Sequence, residues 1–415
     1  MNRQEDKVHF SIGEMFEQAF TNHTEDEMEQ YWGMGAPGNI PAIENLPKEG
    51  PRPWMFARIL GLSAVVFLTL LYFGCKFPNA KFLPGLIIIG SMAMPFSIMV
   101  LFFELNARRN VSMYMTIKMF FLGGVLSLLL IMVNVIVINL FEVKIARMGD
   151  IGVSLIEETA MLLVIICLLG NRRRFPYILN GLLFGAAVGA GFGLFDTASH
   201  TMWTLVRQLI IQCINNGDGL KNIFIQSQKE LGEMALENQL ELLLRTATRA
   251  DDAAMIRMLG LRALLPPAGH VIWAALNAAA LWRVKGGNPF KIGHLFDIRF
   301  SSIFICTTCF HIAWNSEWTL NILTSKDKYI IIGFLGWSLV FWMIRKGLQQ
   351  VHTAREISDG HGGTEQYNGE QALTHVIQNQ AEYVRNLTRA RINMAPYSSD
   401  EEIPDWRKFT NNQKR

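Results

Sequence analysis

The chain has 415 residues, of which 50% are hydrophobic and only 18% are charged. This composition is too apolar for a soluble globular protein of this length, so the bilayer is the expected solvent. The formal net charge of +3 is small and the basic residues form short clusters, which argues against a nucleic-acid partner.

Eight apolar segments follow one another between residues 54 and 346, with polar tails on either side. About 20 apolar residues are enough for an α-helix to cross a hydrocarbon core about 30 Å thick. The predicted spans are 54–74, 83–105, 112–141, 151–170, 176–200, 263–283, 298–318 and 328–346. We therefore predict an all-α, polytopic membrane bundle of about eight transmembrane helices.

The flanking segments are polar. Residues 1–53 are predicted to be an acidic, largely disordered tail and linker, and residues 347–415 a second polar tail. Lys and Arg are retained on the cytoplasmic side of short loops, so their positions orient the bundle. The clusters on one side are Arg52 and Arg58, Arg108 and Arg109, Arg172 to Arg174, Arg283 with Lys285 and Lys291, and Arg345 with Lys346. We expect both tails in the cytoplasm and the protein in the plasma (inner) membrane.

The longest connection within the bundle spans residues 201–262. On the predicted topology this insertion faces outward. Its apolar clusters alternate with charged residues, which predicts amphipathic helices lying on the outer membrane surface. A connection of this length in a compact bundle is usually a lid or a binding element.

Several predicted spans contain polar side chains at similar depth. An ionisable side chain in hydrocarbon costs roughly 2.5–3.5 kcal/mol on insertion scales, so each one needs a partner or a function. These residues are Glu157 and Glu158 in the fourth span, Asp196 and His200 in the fifth, His270 in the sixth, and His311 with Asn315 in the seventh. With a rise of about 1.5 Å per residue, the motif residues of the four spans form one layer near the outer face. The shared depth favours a single polar site built by four helices.

The residue types in this layer suit hydrolytic chemistry. Glu157 and Glu158 project about 100° apart on a helix, so one can activate water while the other is held by a neighbour. His311 and Asn315 lie one turn apart, and both can donate hydrogen bonds to a developing oxyanion.

A metal site is an alternative reading of the same residues. Two carboxylates and two imidazoles, contributed by Glu157, Asp196, His270 and His311, have the chemistry to bind Zn²⁺, although the sequence has no His-Glu-x-x-His motif. A buried carboxylate pair also occurs in the proton relay of a transporter or as a structural node. A proton-coupled transporter is expected to show inverted repeats and helices broken at the midplane, and the sequence shows neither.

Four short motifs occur in order within residues 150–320. They are EETAM at 157–161, FGLFD at 192–196, RALLPPAGH at 262–270 and HIAWN at 311–315. Gly185, Gly189, Gly191 and Gly193 stand beside the second motif at spacings that allow close helix packing. The set resembles the PrsW family of intramembrane proteases, which is related to the CAAX prenyl endopeptidases and the bacteriocin-processing membrane proteases.

The resemblance implies an intramembrane endopeptidase that cleaves membrane-associated protein substrates near the outer face, with membrane lipid as its surroundings. It implies functional roles for Glu157, Glu158, Asp196, His270, His311 and Asn315. Glu157 is expected to be the general base, and His311 and Asn315 the oxyanion donors. The other three are expected to orient them or to share a metal such as Zn²⁺, and the resemblance leaves a metal-bound and a metal-free water both open.

Two positions depart from the family's motifs. Met161 stands where the family has a basic residue, which makes Arg262 the candidate cation for Glu158. Asp196 stands where the family has a glutamate, so the carboxylate reaches one methylene less far. These departures make a catalytically inactive scaffold of the same fold the second alternative to a protease.

Overall fold

The computed structural model describes residues 13, 16–36, 39–47, 50–76, 82–140, 149–215, 269–316 and 325–360. Within these ranges the chain forms nine α-helices and no β-strand, so the predicted all-α class is confirmed for them. The helices are α1 Glu25–Gly33, α2 Met55–Lys76, α3 Phe82–Glu104, α4 Met113–Leu140, α5 Asp150–Leu169, α6 Ile178–Asn215, α7 His270–Lys285, α8 Ile298–Asn315 and α9 Ser325–Gly360.

Six of the described helices, α2 to α6 and α9, are long and apolar enough to cross a membrane. Large apolar side chains such as Leu62 on α2 and Met132 on α4 are exposed, as expected for surfaces that face hydrocarbon. The protein is therefore an integral membrane protein.

The predicted count of eight spans is not reached among the described residues. Helices α7 and α8 occupy the predicted sixth and seventh spans but have only 16 and 18 residues. Other helices enclose α7, and many of its residues are alanine. Because α7 is buried within the protein and does not face lipid, it does not need a long apolar surface. Residues 263–268, where the sixth span was predicted to begin, lie outside the described ranges.

Helix α6 is the centre of the bundle and packs against α3, α4 and α7. Its glycines allow the backbones to come close, because a Cβ atom at Gly189 would lie 2.4 Å from the carbonyl oxygen of His270. At Gly191 a Cβ atom would lie 1.8 Å from the carbonyl oxygen of Phe120 on α4. Gly193 differs from the predicted packing role, since a Cβ atom there meets no described atom within 4 Å.

The contrast between these glycines gives a test of the α6–α7 contact. We expect Gly189→Ala to push α7 away from α6 and to lower the stability by about 1–3 kcal/mol, as overpacking does. Gly193→Ala adds the same methyl group about one helical turn away, where no described atom lies within 4 Å, and serves as the matched control. Thermal unfolding of both purified variants in detergent measures the effect. Equal midpoints for the two variants would contradict the close packing.

Two helices continue past their predicted ends. Helix α6 extends from the predicted end at 200 to Asn215, and α9 extends from 346 to Gly360. Leu348, Val351 and Ala354 are buried, which explains why the last turns of α9 fold against the bundle. The rest of the predicted outer insertion, including Arg262, lies outside the described residues.

Part of the segment treated above as an N-terminal tail packs on the bundle. The carboxylate of Glu104, at the end of α3, accepts hydrogen bonds from the backbone N–H groups of Trp54, Met55 and Phe56 at 2.8, 2.8 and 2.9 Å. The first N–H groups of a helix have no partner within it, so a carboxylate there is stabilising. The hydroxyl of Tyr31 on α1 donates to the same carboxylate at 3.3 Å. Glu104 thus joins α1, α2 and α3.

Arginines of two predicted cytoplasmic clusters also contact this N-terminal segment. The guanidinium of Arg108 donates to the carbonyl of Pro41 at 2.7 Å, and that of Arg174 donates to the carbonyl of Gly35 at 2.9 Å. These contacts bring the α3–α4 and α5–α6 connections to one end of the bundle, called here the arginine end. This grouping agrees with the topology argument, and the orientation in the membrane stays a prediction.

Candidate active site

A cleft of about 370 Å³ lies toward the end of the bundle opposite to the arginine end. Helices α5, α6, α7 and α8 contribute most of its walls, and Pro95 of α3 completes them. The polar side chains that line it belong to Asp150, Glu157, Asp196, Thr197, His200, His270, His311 and Asn315. Five of the six predicted site residues therefore line one cleft, and the sixth, Glu158, lies buried beside it.

Glu157 lies between two histidines from other helices. Its Oε2 is 3.4 Å from Nε2 of His311 on α8 and 4.0 Å from Nε2 of His270 on α7. One ligand atom from each of the three residues lies within 4.8 Å of the others. Three helices that are distant in sequence thus place a carboxylate and two imidazoles around one point.

Glu158 is fully buried and does not line the cleft. Its Oε1 lies 3.0 Å from Nδ1 of His311, and its Oε2 accepts a hydrogen bond of 2.9 Å from the amide of Asn277. The hydroxyl of Thr307 in turn donates to Oδ1 of Asn277 at 2.7 Å. The two glutamates face different directions, as their angular separation predicts.

These contacts fix the state of the His311 ring. A carboxylate at Nδ1 favours a proton on that nitrogen, because a protonated Nδ1 donates to Glu158. In the neutral ring, the lone pair of Nε2 then faces Glu157 at 3.4 Å. The indole of Trp273 stacks on the ring at a centroid distance of 4.5 Å and limits its rotation.

Asp196 lies at the edge of this group. Its Oδ2 is 3.8 Å from Nε2 of His270, and its Oδ1 is 3.4 Å from Nε2 of His200 one turn along α6. The three-residue group leaves Asp196 out, whereas the sequence predicted a four-residue ligand set. The carboxylate is therefore adjacent to the group and open to the cleft.

Asn315 contacts α5 and not the glutamates. Its side-chain amide donates to the hydroxyl of Ser154 at 3.2 Å. The expected pairing of His311 with Asn315 as two oxyanion donors is not the geometry found, because the nitrogens of His311 face Glu158 and Glu157. An amide nitrogen has two hydrogens, so Asn315 can bond Ser154 and still offer one hydrogen to the cleft.

The donor atoms fit a metal ion. Catalytic zinc sites use three protein ligands at about 2.0–2.2 Å, so ligand atoms in a tetrahedral site lie about 3.4 Å apart. The observed separations of 3.4 and 4.0 Å from Glu157 to His311 and His270 are close to this value. The Glu158 carboxylate behind His311 is a further feature of such sites, since metal-bound histidines donate their other ring N–H to a carboxylate.

Several residues of this site were missed by the sequence argument. They are Asn277, Thr307, Ser154 and Trp273. A signal for Asn277 was present, because an amide amid the alanines of α7 lies seven residues after His270 and therefore on the same helix face. No comparable pattern marks the two hydroxyl residues.

The role of Asn277 can be tested. We expect Asn277→Ala to leave Glu158 with His311 as its remaining partner, and so to reduce metal affinity and kcat/KM by about 10–100-fold. Asn134→Ala is the control, because the side chain of Asn134 lies outside the cleft lining and donates to the backbone carbonyl of Leu130 in its own helix. Titration of the metal-free proteins with Zn²⁺ gives the affinities. An unchanged affinity in Asn277→Ala would contradict the positioning role.

The fold and the site define an integral membrane protein with a metalloenzyme-like group of one glutamate and two histidines. The sequence profile of the family described as PrsW family intramembrane metalloprotease matches residues 112–210 and 231–344, more than half of the chain. These regions contain all six predicted site residues. The chain belongs to this family of intramembrane proteases and is therefore assigned as a membrane peptidase. Neither the curated proteins nor the solved structures include a significant match.

Proposed function

We propose that the protein is an intramembrane endopeptidase that hydrolyses a peptide bond of a membrane-protein substrate close to the outer membrane face. The observation that carries the proposal is the meeting of Glu157, His270 and His311 at the cleft. Glu157 lies seven residues after Asp150, the first residue of α5, which corresponds to a depth of about 10 Å below the helix end. A substrate helix that unwinds near its own end can reach this depth.

The same three residues would hold the metal ion. Zn²⁺ bound there would supply a Lewis acid and an acidic bound water at neutral pH. Glu158 keeps the proton on Nδ1 of His311 and so directs Nε2 toward the ligand position. Asn277 and Thr307 hold Glu158 in turn, so the imidazole does not have to reorient during the reaction.

Proton transfer is assigned to Asp196. Where Glu157 is a ligand, the general-base role expected for it passes to Asp196, which lines the cleft beside His270. Oδ2 of Asp196, at 3.8 Å from Nε2 of His270, accepts the proton of the attacking water and returns it to the amine that leaves. The free amide hydrogen of Asn315 stabilises the oxyanion of the substrate carbonyl. The shorter aspartate is therefore compatible with activity.

Cleavage in a defined bilayer tests this function. The purified full-length protein, loaded with Zn²⁺ and reconstituted in liposomes, is mixed with single-span peptides of varied sequence, and the products are identified by mass spectrometry. We expect a cut within about two helical turns of one membrane interface. Absence of cleavage by the loaded protein for every peptide would contradict the proposal and favour the inactive scaffold. Proton flux without cleavage would favour the transporter.

A further inference from the structure

Two apolar residues line the cleft one helical turn away from its polar group. Val153 on α5 lies four residues before Glu157, and Trp314 on α8 lies three residues after His311. All four line the cleft, and residues at these spacings share a helix face. Val153 and Trp314 are called here the apolar rim, because both lie toward the helix ends that are opposite to the arginine end.

Two hydrogen bonds place the rim residues at one level. The backbone N–H of Phe290, before α8, donates to the carbonyl of Gly170, just after α5, at 2.9 Å. At the other ends of these two helices, the amide of Asn315 donates to the hydroxyl of Ser154 at 3.2 Å. The helices are therefore antiparallel. Asn315 and Ser154 are the chain neighbours of the rim residues, so the rim comes from facing turns of α8 and α5.

The ring of Trp314 is held in place by other aromatic side chains. Its centroid lies 4.4 Å from that of Tyr329 on α9 and 5.8 Å from that of Trp273 on α7, both in edge-to-face arrangements. Trp273 in turn stacks on His311. Aromatic pairs of this kind fix the orientation of a ring. Trp314 is nevertheless partly exposed, so a fixed apolar surface remains available at the cleft.

Val153 adds accessible apolar surface on the α5 side of the rim. The residue is 49% exposed and lines the cleft. Ile151 and Leu155 on the same helix are also exposed but do not line it, as expected for side chains that face lipid. The surface of Val153 is therefore placed where a chain in the cleft can contact it.

A substrate can reach the polar group and the apolar rim together. Consecutive Cα atoms are about 3.8 Å apart, and one turn of helix rises about 5.4 Å. The rim lies one turn from Glu157 and His311. When the scissile carbonyl lies beside these two residues, the side chain of a residue that flanks the scissile bond extends to the rim.

We propose that the apolar rim selects substrates with a large apolar side chain, aliphatic or aromatic, at a residue that flanks the scissile bond. Trp314 is the specificity-determining residue, since it has the larger apolar surface and a fixed ring. A leucine or phenylalanine side chain packs against both rim residues, whereas alanine or serine leaves that contact unmade. The inference rests on the proposed peptidase function and adds a substrate class to it.

Cleavage of matched peptides tests the selection. The Zn²⁺-loaded full-length protein in liposomes is given single-span peptides that differ only in one residue beside the mapped cleavage position, which is Leu, Phe, Ala or Ser. We expect kcat/KM for the Leu or Phe peptide to exceed that for the Ala peptide by at least about 10-fold at one of the two flanking positions. Equal values at both positions would overturn the inference.

Variants of the rim assign the selection to its residues. Trp314→Ala is expected to lower the Leu-to-Ala ratio of kcat/KM by about 10-fold, and Val153→Trp, which fills the rim, to reverse the preference toward Ala. Trp314→Phe keeps an aromatic ring and guards against loss of the fold, which thermal unfolding monitors. Trp203→Ala is the control, because Trp203 is exposed on α6 outside the cleft lining, and it keeps the wild-type ratio. A ratio that is unchanged in all the rim variants would also overturn the inference.

Binding to the metal-free protein separates this inference from the peptidase function. Fluorescence anisotropy of dye-labelled peptides in neutral detergent gives the affinities, and the Leu peptide is expected to bind wild type, but not Trp314→Ala, more tightly than the Ala peptide does. Such a preference without cleavage by the Zn²⁺-loaded protein would support the rim and contradict the peptidase. Cleavage without any side-chain preference would do the reverse. Equal binding of both peptides together with no cleavage would overturn both.

Discussion

Replacement of Glu157 by glutamine is expected to lower kcat/KM for peptide cleavage by at least about 1000-fold. The Oε2 atom of Glu157 lies near both imidazoles, at 3.4 Å from Nε2 of His311 and 4.0 Å from Nε2 of His270. An amide keeps the size of the side chain but loses the charge, so it neither binds a divalent metal well nor accepts a proton from water. Cleavage of a reconstituted single-span peptide measures the effect.

The control for this variant is Glu29→Gln, which removes one exposed carboxylate from α1 outside the cleft. Both variants are expected to unfold at temperatures close to that of the wild type, because Glu157 lines a cleft and is not fully buried. A Glu157→Gln protein that keeps at least a tenth of the wild-type rate would exclude Glu157 from the chemistry.

Removal of the bound metal is expected to bring cleavage to the background rate. Treatment with 1,10-phenanthroline followed by dialysis gives the metal-free protein, and stoichiometric Zn²⁺ is expected to restore the rate. The physical reason is that Glu157, His270 and His311, whose ligand atoms lie within 4.8 Å of one another, would hold the ion, which would supply a Lewis acid and an acidic bound water. Elemental analysis is expected to find about one ion per wild-type chain.

Variants of the histidines make this test specific. His270→Ala and His311→Ala are expected to lose the ion, whereas His294→Ala, which alters a histidine outside the cleft lining, keeps it. A metal-free wild-type protein that cleaves at the full rate would exclude the metal mechanism. It would leave Glu157 as a general base acting on free water.

The features that could be predicted from the sequence follow from the free-energy cost of placing polar groups in hydrocarbon. Each predicted span overlaps a helix of the described residues, six of these helices are long and apolar enough to cross a membrane, and α5 agrees with its predicted bounds to within one residue. The same cost singled out Glu157, His270 and His311, because a buried charge must find a partner. The depth of a residue along a helix can be estimated from the sequence. The similar depths of these three residues were sufficient to predict that they lie in one site.

The unpredictable part depends on how each helix is rotated about its axis. Depth does not reveal which of two adjacent glutamates faces the cleft, nor that Asn277 would reach Glu158 from α7. Asp196 has the expected depth, yet its carboxylate points between two histidines and stays outside the three-residue group. The rotation of each helix about its axis depends on how small residues such as Gly189 pack against the neighbouring helix. This packing is visible in the three-dimensional structure and not in the sequence.

The N-terminal segment shows a second limit. Its composition predicted a largely disordered tail over residues 1–53, whereas Tyr31 of the described part of this tail donates to Glu104 on α3, the carboxylate that also accepts three backbone hydrogen bonds at the start of α2. Nothing in the local sequence of residues 25–33 indicates that Tyr31 would reach Glu104 from α1. A local sequence pattern does not reveal contacts between residues that are so far apart in the chain.

The hydrogen bonds of Glu158 have a consequence for biogenesis. They tie α5 to α7 through Asn277 and to α8 through His311, so the candidate site forms only when these three helices have assembled. A nascent chain that has inserted only the helices up to α5 carries the glutamate pair without Asn277, His270 and His311. Correct assembly of α5, α7 and α8 is thus a precondition for the candidate site.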